Sequence, residues 1–219
     1  MTTDQRYLEP AEFIDSDHPS IEAFSMTSLA VGGSTVDQAL DLYYRIRDGI
    51  RYTPYLDYAD PEMYRASSVL RNGFGFCISK ASLLAACGRA VGIPARIGFG
   101  DVQNHLNSPR LREINNGDIM RWHAFTEFYL EGRWVKSTPA FNLQLCSRFR
   151  VKPLEFNGHE DSIFHPYDVD QRRHMEYLKM RGSFADVPID RILATWSQYS
   201  PKLLGNRCNG DFAADAEIV

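Results

Sequence analysis

Residues 71–100, RNGFGFCISKASLLAACGRAVGIPARIGFG, constrain this chain more than any other stretch. Gly73 and Gly75 break the approach, Cys77 follows, and Ile78, Ala81, Leu84, Ala85, Ala90 and Val91 then recur at helical spacing. Small residues between them (Ser79, Ser82, Ala86, Gly88) let other backbone come close, so this helix is expected at the centre of the fold. Gly92 and Pro94 end it, and Ala95 to Phe99 read as a strand. Cys77 therefore falls near a helix N-terminus, where uncommitted backbone N–H groups and the helix dipole favour thiolate over thiol. Two readings stay open at this point: a reactive cysteine, or a free cysteine packed in the core. Cys87, nearly three turns on, is assigned to packing.

The flanks support an α+β fold in a single domain over 1–219. Ser34 and Asp37 approximate a capping box ahead of a helix over 35–48, and Asp60-Pro61 opens a helix that should stop at Gly73. Residues 101–119 read as a polar, turn-rich insertion containing His105. Two strands joined at Glu131-Gly132 follow, RWHAFTEFYL and RWVKSTPAF, with Pro139 ending the second. Neither face of the first is cleanly polar, as expected of an interior strand in a covered sheet. Beyond 142, a helix is expected over 168–182, capped by Asp168, and another over IDRILATWSQY. Residues 143–219 are read as a helical extension packed on a core over 35–142.

Composition bounds the function. The chain has 219 residues, a formal net charge of −4 and arginines interspersed with acids, so no nucleic-acid surface is expected. No apolar run approaches a membrane span, and the N-terminus lacks the pattern of a signal peptide. Cys77, Cys87, Cys146 and Cys208 form no CxxC pair; reduced thiols and a cytoplasmic location are the expectation. No HExxH, Walker loop or dinucleotide fingerprint is present, and neither a metal nor another cofactor is implied.

Cys77 and His123 are the pair that carries chemistry. A nucleophilic thiol needs an imidazole to take its proton and pass it to a leaving group. The Cys77 backbone N–H is one candidate oxyanion donor and the Asn72 side chain, just upstream, another. Phe76 and Trp122, neighbours of the pair in sequence, are candidates for the substrate cleft.

Three pieces, GFGFCISKASLLAACGRAVGIPAR, WHAFTEFYLEGRWV and STPAFN, make the chain resemble the transglutaminase-like superfamily, with its papain-like cysteine fold. The resemblance implies a Cys-bearing central helix packed on an antiparallel sheet. It places Cys77 as nucleophile and His123 as general base and acid, and it puts an aspartate at the end of the next strand, before a proline. Here that position is Thr138, whose hydroxyl can accept from an imidazole N–H but supplies no charge. Asn142, Asp161 and Asp168 are the other candidates to stand behind His123. Glu127, four residues along the same strand face, lies about 13 Å away and is a poor orienter. The chemistry implied is acyl transfer or amide hydrolysis on a peptide, a protein side-chain amide or a small amide or acyl substrate. The alternative is an inactive domain that binds peptide or protein.

Overall fold

The computed structural model describes residues 4–28, 33–105, 107–163, 170, 175–205 and 210–217. Its first half runs α1 (Pro19–Ser28), α2 (Thr35–Gly49), β1 (Arg51–Tyr52), α3 (Ala66–Asn72), β2 (Phe74–Gly75) and α4 (Cys77–Ala90). The capping box at α2 is complete: the Ser34 N–H donates to Asp37 Oδ2 at 2.9 Å and the Asp37 N–H to Ser34 Oγ at 3.2 Å. The helix expected after Pro61 begins later, at Ala66, behind a short 3-10 turn over Pro61–Met63.

Every residue of α4 from Ile78 to Arg89 is buried, as its mixture of small and apolar residues on all sides requires. Fully buried Ile78, Leu83 and Leu84 each contribute roughly 2 kcal/mol of apolar transfer. One side of α4 meets α1, α2 and α3, and the other lies on the sheet. Lys80, also fully buried, donates from Nζ to the carbonyls of Arg47 (2.8 Å) and Ile50 (2.6 Å), satisfying the C-terminal end of α2.

The second half supplies β3 (Ala95–Asn104), α5 (Pro109–Asn115), β4 (Ile119–Leu130), β5 (Arg133–Ser137), α6 (Leu143–Arg148), β6 (Met175–Phe184), α7 (Ile189–Tyr199) and α8 (Lys202–Gly205). The sheet order is β5-β4-β3-β6, antiparallel throughout, and a two-stranded parallel ribbon joins β1 to β2. The Thr126 hydroxyl on β4 donates to the Ala81 carbonyl at 2.8 Å, fastening α4 to the sheet's interior strand.

Two expectations are corrected. The polar stretch 101–119 is not all loop: β3 extends to Asn104, and α5 is capped by Ser108 Oγ, which accepts the Leu111 N–H at 3.2 Å. The helix expected over 168–182 is, from Met175 onward, the strand β6. The free edge of β3 offers a ladder of backbone partners, and that pairing outweighs an imperfect helical stripe. Asp168 and Cys208 lie outside the described residues. Among the described residues no helix is long and apolar enough to cross a membrane.

Candidate active site

The approach to Cys77 is shaped by two glycines. Gly73 closes α3 in the left-handed region (φ 70°), where a side chain would add strain. At Gly75 a methyl group would lie 2.7 Å from Ser79 Cβ, so only glycine lets the chain pass this close to the first turn of α4. Phe76 then occupies the N-cap without a side-chain cap, which leaves the first-turn N–H groups to other acceptors.

Cys77 keeps some exposed surface, but its sulfur is enclosed, and burial pushes the thiol up to about 11. Nearby backbone N–H groups, of Ala124, Ile78 and Cys77, favour the thiolate and offset part of that burial. Two belong to the start of α4 and the third to the residue following His123. The imidazole is 2% exposed, and burial lowers its pKa to about 3. At neutral pH the resting pair is a thiol and a neutral imidazole, both lining one cleft.

A bulge aims β4 at this cleft. His123 pairs with Gly100 and Met120 with Val102, so Arg121 and Trp122 together face the single residue Asp101. Trp122 has φ 63°, an uncommon and strained conformation for an aromatic residue. Strict alternation would send Trp122 and His123 to opposite faces. With the bulge, both line the cleft. Asp101 accepts the displaced Trp122 N–H at 3.2 Å, and Arg181 on β6 clamps Asp101 at 2.5 and 2.9 Å. The Arg181 guanidinium also lies over the Trp122 ring, 4.6 Å from its centre.

The cleft is mainly apolar, with Tyr52, Tyr58, Phe76, Trp122 and Trp196 as its aromatic walls. Trp196 comes from α7 and anchors its indole N–H on the Arg121 carbonyl at 3.1 Å. The Trp122 indole N–H donates to Thr195 at 2.8 Å. The C-terminal helices therefore form one wall of the cleft.

The structure brings together Cys77, His123, Phe76 and Trp122, but not every other candidate. Asn72 is exposed at the end of α3 and does not line the cleft, because the left-handed turn at Gly73 carries the chain away from it. Asn142 begins α6 and lines a separate depression with Arg51, Tyr52 and Arg148. Asp161 is committed to Lys136, accepting from its backbone N–H at 2.9 Å and from Nζ at 2.5 Å. Glu127 pairs with Arg96, and His105 faces Glu176 at 3.6 Å. Thr138 is 1% exposed and directly follows β5, the position where the resemblance expects aspartate.

Sequence reasoning missed Tyr177, whose ring stands edge-on to the His123 ring (6.3 Å, 85°), and the Asp101–Arg181 clamp. The available signal was GFG at 98–100, since paired glycines in a strand mark places where another group crosses closely. Among the described residues no group of three or more His, Cys, Asp or Glu is placed to hold a metal ion.

Comparison with known proteins matches residues 26–139, just over half of the chain, to the transglutaminase-like superfamily core. Two solved structures are similar to the chain. A candidate cysteine protease from Cytophaga hutchinsonii is 18% identical with a TM-score of 0.47, over 81% of this chain and 53% of that one. A candidate protease from Parabacteroides distasonis is 17% identical with a TM-score of 0.40, over 64% and 26%. The chain thus spans about half the length of the first and about a quarter of the second. A search of curated proteins found no match.

Proposed function

Because the chain belongs to the transglutaminase-like superfamily, we propose that it catalyses acyl transfer or amide hydrolysis through a thioester on Cys77. The observation that carries this reading is that Cys77, at the uncapped N-terminus of α4, and the buried His123 line one cleft. Cys77 Sγ attacks the carbonyl carbon of an amide, and His123 takes the thiol proton as the S–C bond forms. The charge developing on the carbonyl oxygen is met by backbone N–H groups at the start of α4, the role of an oxyanion hole. His123 then returns the proton to the departing amine, the C–N bond breaks, and the thioester remains. Attack by water gives the acid; attack by an amine gives a new amide.

The neutral resting pair fits a general-base route, in which deprotonation accompanies attack, better than a preformed thiolate–imidazolium pair. The aromatic walls suit an apolar acyl group from a peptide, a protein side chain or a small amide. The raised thiol pKa and the uncharged Thr138 favour one competing reading, a silent domain that binds peptide in the same cleft.

Iodoacetamide labelling separates the two. An active dyad labels Cys77 faster than Cys87 and Cys146 at neutral pH, and His123→Ala slows that labelling by roughly 100-fold, the scale of a lost general base. Equal labelling of the three thiols, indifferent to His123→Ala, would favour the binding module.

A further inference from the structure

We propose that Tyr177 is the positioning residue for the His123 imidazole, in place of the carboxylate that family resemblance expects behind it. This rests on the reading of Cys77 and His123 as a catalytic pair. Tyr177 comes from β6, beyond the matched residues 26–139, and reaches the site by crossing β3. Gly100, the partner of His123 across the ladder, makes the crossing possible: a methyl group there would lie 2.8 Å from Tyr177 Cδ1. The phenol ring is thereby laid over the strand and meets the His123 ring nearly at right angles, 6.3 Å between centres at 85°, while Phe125 also packs against it at 6.4 Å.

The Tyr177 and Thr138 hydroxyls are both buried, and burial raises the phenol pKa. Among the described residues neither completes a regular hydrogen bond. Buried hydroxyls in this state are costly, and Tyr177 carries one on the ring that meets the His123 imidazole. A carboxylate at position 138 would add charge to hold an imidazolium. The Tyr177 ring instead fixes the imidazole by shape and leaves it neutral, as the general-base route requires.

The test uses three variants of the whole chain, each checked for folding by circular dichroism, with two readouts. The imidazole 15N resonances of His123 report tautomer and environment without any turnover, and iodoacetamide reports the Cys77 rate. Tyr177→Leu removes ring and hydroxyl; it is expected to shift both His123 nitrogen resonances and to slow Cys77 labelling by roughly tenfold or more, the scale of a misplaced catalytic group. Tyr177→Phe keeps the ring and retains most of the rate. Gly100→Ala, which pushes a methyl group into the space the Tyr177 ring occupies, is expected to shift the His123 nitrogen resonances as well. Unchanged nitrogen resonances and rate in folded Tyr177→Leu would overturn the proposal. Should Tyr177→Leu fail to fold, unchanged nitrogen resonances in folded Gly100→Ala would do so. If Cys77 proves unreactive in the parent chain, the catalytic reading falls, yet the nitrogen resonances still decide whether Tyr177 positions the ring.

Discussion

Cys77 and His123 are each kept in their uncharged forms by burial, and that has a measurable consequence for stability. His123 titrates at about 3 in the folded chain against 6.5 in the unfolded one, so between these values the unfolded state binds more protons. Stability is therefore lost as pH falls from about 6.5 towards 3, by at most about 5 kcal/mol from this residue. Urea titrations of His123→Leu across that window are expected to show a flatter dependence than the parent; parallel curves would contradict the buried neutral imidazole. Cys77 has the opposite sign. Its raised pKa favours the folded state below the ordinary thiol range, and the advantage is lost as pH climbs to about 11.

At the scale of elements, the bulge in β4 does what no single residue type could. It inserts one residue opposite Asp101, turns Trp122 into the left-handed region and delivers His123 to the same cleft as its neighbour. The strain is held by a strut spanning three strands: Trp122 on β4, Asp101 on β3 and Arg181 on β6. Asp101→Ala would leave a buried N–H and a largely buried guanidinium without their acceptor. We expect it to cost roughly 2–3 kcal/mol in a denaturant titration and to slow Cys77 labelling, although Asp101 does not line the cleft. Full stability together with full reactivity would show that the bulge holds itself.

For the whole molecule, the chain beyond the family core completes the site. β6 extends the sheet and carries Tyr177 and Arg181; α7 and α8 close the cleft with Trp196 and Leu203. Tyr58 and Phe76 meet the Trp196 ring at 5.2 and 6.4 Å, so this wall is an aromatic cluster as well as a cover. Trp196→Ala should destabilise the fold by roughly 3–5 kcal/mol and, in the folded fraction, speed labelling of Cys77 by a bulky maleimide. A maleimide rate no faster than the parent's would mean that α7 does not limit access.

Local chemistry determined a good deal of this. The Ser34–Asp37 box, the Gly73 stop, the α4 stripe and the Glu131-Gly132 hairpin are set by residues within one or two turns of each other, so they were legible in order along the chain. The likeness of GFGFC and WHAFTEFYL to one superfamily pointed to Cys77 and His123 for the same reason: each motif is local. Tertiary structure alone decided the rest. Whether residues 175–184 form a helix or a strand depended on the open edge of β3, a partner more than 70 residues away in sequence. The exclusion of Asn72 and Asn142 from the cleft depended on which way the chain leaves Gly73 and β5. What stands behind His123 was hidden for the same reason. The Tyr177 ring reaches it across a strand, over a glycine, from a segment that no local pattern tied to the site.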